Sequence, residues 1–146
     1  MSREIKFRGR NPNNGQWKYG DLIQYESGEV AILNRFSKHG FEATEICYRT
    51  IASPETVGQY TGLKDKHGVE IWEGDIIRIE YPGGGDFENT VGRVWWDEDE
   101  GAFYHGNDQG RPPKRLWFRW TREGRKSNVT VIGNVHDNPE LLEVTD

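Results

Sequence analysis

The segment Arg111 to Lys126, "RPPKRLWFRWTREGRK", concentrates positive charge and aromatic rings. Arg111, Lys114, Arg115, Arg119, Arg122, Arg125 and Lys126 face a single acid, Glu123. Strand alternation in "RLWFRW" sets Arg115, Trp117 and Arg119 opposite Leu116, Phe118 and Trp120. A strand that shows Arg-Trp-Arg to solvent can stack a ring on the indole and hold phosphates with the guanidinium forks. Arg115, Trp117, Arg119 and Arg122 are therefore the candidate ligand-binding residues. The competing reading is structural: Trp117 packs on a neighbouring subunit, and the arginines pair with the acidic run Asp97 to Glu100. That reading is the stronger of the two. Arg3, Lys6, Arg8 and Arg10 could extend the same basic face.

Other chemistries lack their residues. "PGGGD" (Pro82 to Asp86) has three glycines but no Lys-Ser or Lys-Thr and no helix after it, so it fails the phosphate-loop pattern and reads as a hairpin tip. His39, His67, His105 and His136 stand too far apart for metal-ligand spacing. Asp97-Glu98-Asp99-Glu100-Gly101 resembles part of a calcium loop without its distal glutamate, and reads as a solvated turn. Cys47 falls in an apolar strand pattern, where a buried inert thiol is expected. No serine sits in a nucleophile elbow. The expectation is a protein that is not an enzyme, with no catalytic residue, no metal and no cofactor.

The elements that must carry these residues are short strands. "REIKFRGR" alternates Ile5 and Phe7 with Glu4, Lys6 and Arg8. "NPNNG" is a turn, and "QWKYGDLIQYE" returns as a second strand. "GEVAIL" and "FEATEICYRTI" read as the third and fourth strands. Pro54 ends any ladder, and "SPET" can open one helical turn with Ser53 as cap. Beyond it, "VGQYTGL", "VEIW", "IIRIEY", "TVGRVWW", "AFYH", "RLWFRW" and "VTVIG" are strands parted by Gly- and Asp-rich turns. "DNPELL" reads as a closing helical turn, with Asn138 as cap and Pro139 at its first position.

Turn signals recur about every ten residues, the spacing of an all-β barrel or sandwich. The expected fold is all-β, of short antiparallel strands: a small N-terminal β subdomain over 1–57, a Src-homology-type small barrel over 58–146, and one C-terminal helical turn.

Composition narrows the function. The 146 residues are 34% hydrophobic, and the net charge is −5. So thin a core favours association, because an interface completes the burial. Six Trp, six Tyr and six Phe supply much of the apolar area. The acidic balance weighs against a nucleic-acid coat protein, though it leaves room for a local basic face. A single cysteine forbids an internal disulfide and fits a reducing cytoplasm. "MSREIKFRGR" has no apolar signal core, and no run is long enough to cross a membrane.

Three segments carry a family resemblance: "REIKFRGRNPNNGQW", "VGQYTGLKDKHGVEIWEGDII" and "VIGNVHDNPELL". In the middle block Thr61-Gly62-Leu63, Asp65, Gly68, Glu73, Gly74 and Asp75 are the distinctive positions. The chain resembles the YopX-like proteins encoded by bacteriophages and prophages, least so between residues 81 and 128. The resemblance implies a small all-β protein that assembles as an oligomer, and it carries over no catalytic residue. The glycines and acids of the middle block fit a scaffold of turns, with carboxylates accepting from turn N–H groups.

Three functions are compatible with these residues. The first is a non-catalytic phage accessory protein, an oligomeric binding module with a host protein or nucleotide as partner. The second is an anti-defence protein that sequesters a nucleotide signal. The third is a single-stranded nucleic-acid binder, which the acidic composition disfavours.

Overall fold

Period-two alternation at the N-terminus becomes strand β1 (Phe7–Arg10), and the Asn-rich turn returns the chain as β2 (Trp17–Gln24). In the turn, the Asn11 and Asn14 side chains accept from the backbone N–H groups of Asn13 and Gln16, at 2.8 and 3.0 Å. Such local bonds favour a turn over a continued ladder. The structure is a computed structural model that describes residues 4–34, 49–80, 90–107, 113–116 and 128–143. The other strands are β3 (Val30–Leu33), β4 (Arg49–Ala52), β5 (Gly58–Lys64), β6 (Glu70–Trp72), β7 (Asp75–Ile79), β8 (Thr90–Asp97), β9 (Ala102–Gly106), β10 (Lys114–Arg115) and β11 (Val129–Asn134). Every pairing described is antiparallel, and the remaining regular elements are two 3₁₀ turns, so the all-β expectation holds.

The chain divides into two units, Met1–Tyr60 and Thr61–Asp146, with β5 running across the division. In the first unit the strand order is β4-β3-β2-β1-β5. Val30, Ile32 and Ala52 form its core, with Phe7, Leu22 and Val57 against them. The turn expected at "SPET" is present as Pro54–Thr56, but Ser53 does not cap it with its side chain. Instead the Thr56 hydroxyl donates to the Ser53 carbonyl at 2.7 Å and accepts from the Arg10 N–H at 2.9 Å.

The second unit has the strand order β10-β9-β8-β7-β11. Its core is Leu63, Ile71, Ile77, Ile79, Val94 and Val129, with Phe103, Leu116 and Val131 packed on it. Full burial of an Ile or Val side chain contributes about 1.5–3 kcal/mol, so this one cluster outweighs any surface ion pair described below.

The β5–β6 hairpin is fastened to the sheet by its acidic turn residues. Lys66 N–H donates to the Val129 carbonyl at 3.0 Å, and Gly74 N–H to the Val94 carbonyl at 2.8 Å. Asp65 is 6% exposed. Its Oδ1 accepts from His67 and Val69 N–H at 2.8 and 2.9 Å, and its Oδ2 from Val131 N–H at 3.0 Å. Buried Asp75 accepts from Trp72 N–H at 2.7 Å. Gly68, at φ 81°, takes the left-handed position of the Asp65 turn. The middle block is thus built as turns and clamps. Among the described residues no ladder joins β10 to a further strand.

The C-terminal helical turn forms over Pro139–Leu142. Asn138 precedes it but turns its side chain back: Oδ1 accepts from Asn134 N–H at 3.3 Å and makes no cap bond. Asn134 Oδ1 in turn accepts from His136 and Asp137 N–H at 3.0 and 2.9 Å, so the segment is a self-bonded loop. No described helix is long and apolar enough to cross a membrane.

Candidate functional site

Pair register decides which residues of the second unit share a face. Across β8 and β9, Trp95 lies opposite Tyr104 and Val94 opposite His105. Across β9 and β10, Arg115 lies opposite Tyr104 and Lys114 opposite His105. Side chains alternate between faces, and opposite partners point the same way. Val94 is in the core, so its face is inward. Arg93, Trp95, Tyr104 and Arg115 therefore share the outward face.

The contacts on that face bear this out. The Arg93 guanidinium sits 5.1 Å from the Trp95 ring centroid, and the Trp95 and Tyr104 rings are 6.2 Å apart, tilted by 32°. Arg78 of β7 lies opposite Val91, two residues before Arg93, which adds it to the same face beside Arg93. Arg78 and Arg93 are both exposed. Among the described residues no carboxylate is within ion-pair distance of either. Gly106 leaves room for the indole: a Cβ there would lie 3.4 Å from the Trp95 ring.

Of the candidates singled out from the sequence, Arg115 stands on this face. Its guanidinium is 3.6 Å from Glu100, with both side chains about half exposed. One arginine thus pairs with the acidic turn, as the structural reading anticipated. Trp117, Arg119 and Arg122 lie outside the described residues, as do Cys47, the glycine loop after Pro82 and Arg3. The turn at Asp97 to Glu100 is held by Asp97, whose Oδ1 accepts from Glu100 N–H at 2.9 Å.

Lys6, Arg8 and Arg10 belong to the first unit and cover its own rings. Arg8 and Arg10 each lie 4.7 Å from the Trp17 centroid, and Lys6 lies 4.9 Å from that of Tyr60. Arg8 is only 6% exposed, so it is a packed residue of the first sheet.

His105 points inward beside Val94. Burial, with the Lys114 charge opposite it as a smaller cause, lowers its pKa to about 4. It is neutral at pH 7 and has no access to an outward ligand. Among the described residues no group of three His, Cys, Asp or Glu side chains is placed to hold a metal ion.

Alternation along "TVGRVWW" puts Arg93 and Trp95 on one face, whereas Arg78 and Tyr104 join them only through cross-strand register. The signal was there: a four-residue turn between Asp97 and Ala102 places Trp95 opposite Tyr104.

The fold and this face define a two-unit, all-β protein that presents arginines and aromatic rings on one sheet face. The chain belongs to the YopX family, whose model, described as YopX protein, matches residues 6–143. A similar solved structure is protein EF1440 from Enterococcus faecalis. It is 28% identical, with a TM-score of 0.59, and the match covers 97% of this chain and 99% of that chain. No curated protein matches the sequence significantly.

Proposed function

We propose that this YopX family member is a non-catalytic phage or prophage accessory protein that works in the host cytoplasm as an oligomeric binding module. The observation that carries the reading is the outward face of β7–β10, where Arg78, Arg93, Trp95, Tyr104 and Arg115 converge. Trp, Tyr and Arg are the residues that dominate binding energy at protein surfaces. Two of these arginines have no carboxylate partner among the described residues, so their charge is available to a partner. The low apolar content favours assembly for the reason given above. A second reading, sequestration of a nucleotide signal, is favoured by Arg93 standing over the Trp95 ring, since a base and a phosphate would meet adjacent groups.

Native mass spectrometry of protein purified gently from a bacterial host tests both. A multimer supports the module, and a multimer with nucleotide-sized excess mass supports sequestration. A bare monomer at micromolar concentration, with host interactions that survive Trp95→Ala, would overturn both.

A further inference from the structure

We propose that the outward face of β7–β10 is a stacking platform for single-stranded nucleic acid. The proposal rests on the binding-module reading and names the occupant of that surface.

Three features favour this occupant. First, the rings and charges alternate across neighbouring strands: Arg78 and Arg93, then Trp95, then Tyr104, then Arg115. Four strands about 4.8 Å apart carry the stripe over roughly 14 Å. A single strand presents the same alternation, a flat base and an anionic phosphate in each repeat. Second, the charge is local. The chain is acidic overall at −5, yet Arg78 and Arg93 are diagonal neighbours on the face with no carboxylate partner among the described residues. Among the described residues the acids nearest the stripe already have partners: Glu100 pairs with Arg115, and Glu80, two residues after Arg78, pairs with Lys66. A polyanion is therefore accepted at the Arg78–Arg93 end and stacked at Trp95 and Tyr104. Third, the charged groups are spaced along the face, with Arg78 and Arg93 exposed toward one end and Arg115 exposed at the other, while Ile76 opposite Arg93 is buried. A free nucleotide binds well when walls bury most of its surface. A polymer gains affinity by engaging several spaced positions at once.

The test is fluorescence anisotropy of a labelled oligothymidylate of about 16 nucleotides, repeated across a salt series. The full chain is used, with Arg78→Ala, Arg93→Ala, Trp95→Ala, Trp95→Phe and the control Lys64→Ala. Lys64 is exposed on β5, which is not a strand of the sheet that carries the stripe. Wild type should bind saturably and weaken as salt rises. Each of Arg78→Ala and Arg93→Ala should reduce the slope of log affinity against log salt by about 0.7, the value for one single-strand phosphate contact. Lys64→Ala should leave the slope unchanged. Trp95→Ala should weaken binding about 5- to 150-fold, the loss of one stacked base, and Trp95→Phe should recover most of it. Urea unfolding of each variant separates lost binding from lost folding.

Absence of binding overturns the proposal, as does a slope that Lys64→Ala lowers as much as Arg93→Ala. Full competition by mononucleotides at equal nucleotide concentration overturns the polymer assignment in favour of a small ligand. If no oligonucleotide binds but Trp95→Ala dissolves an oligomer or a protein complex, the occupant is a protein. The binding-module reading then survives and this one falls.

Discussion

Asp65 accepts a hydrogen bond from the backbone N–H of Val131 at 3.0 Å, across 66 residues of chain. The same carboxylate holds the His67 and Val69 N–H groups of its own turn. One buried side chain thus shapes the β5–β6 turn and ties it to β11. Charged acceptors make stronger hydrogen bonds than neutral ones, and a buried donor that loses its partner costs more than the bond contributed. Asp65→Ala should destabilise the protein by about 3 kcal/mol or more in urea unfolding, a large share of ordinary domain stability. Asp65→Asn should cost less. A loss under about 0.5 kcal/mol for the alanine variant would show that the clamp contributes nothing.

Gly20 sits where β2 passes β3, at φ 157°. A Cβ there would lie 2.0 Å from the Leu33 carbonyl oxygen, and backbone cannot move aside as a side-chain tip can. Gly20→Ala should cost about 1–3 kcal/mol or separate the two strands locally. Hydrogen exchange at Asp21 to Gln24 reads the outcome, and unchanged protection there would contradict the close approach.

His105 gives the acid response a definite sign. Its folded pKa of about 4 lies below the unfolded value of 6.5, so between these the unfolded chain binds more protons. Its contribution is flat above pH 6.5 and is lost as pH falls from there toward 4. Between pH 7 and pH 5 the loss is at most about 2 kcal/mol. His105→Leu should therefore lose less stability than wild type over that interval. Parallel curves for the two proteins would remove His105 as the source.

The Arg115–Glu100 pair should matter little for stability. Both side chains are about half exposed at 3.6 Å, and pairs of this kind are worth about 0–1 kcal/mol. A double-mutant cycle of Arg115→Ala and Glu100→Ala should give a coupling under about 0.5 kcal/mol at physiological salt. A larger value would make the pair a structural lock and take Arg115 out of the recognition surface.

The sequence showed the strands and turns well, because period-two alternation and Gly, Asn and Asp placement are local. It showed Asp65 as a turn acceptor for the same reason. It could not show the Val131 bond, which depends on how β11 returns to the sheet. The outward face was half legible. Arg93 and Trp95 share a strand, so their common face followed from spacing. Tyr104 and Arg78 joined them only through cross-strand register, which a one-residue slip would have inverted. Neither Ser53 nor Asn138 caps its 3₁₀ turn with its side chain, and the Asn138 Oδ1 accepts from Asn134 N–H instead, a partner set by the loop's own fold.

The two units differ in when they can be finished during synthesis. The ladders of β1 to β4, and that of β1 with the start of β5, need nothing beyond Tyr60. The second unit must wait for β11, because β7 pairs with it and Asp65 needs Val131. At about 5–20 residues per second, the 66 residues from Asp65 to Val131 take roughly 3–13 s to emerge. For those seconds a nascent chain carries a first sheet able to close while Ile77 and Ile79 lack Val129 from their cluster and one edge of β7 stays unpaired. That interval is when the newborn protein is most open to chaperones and to mispairing with its own siblings on a polysome.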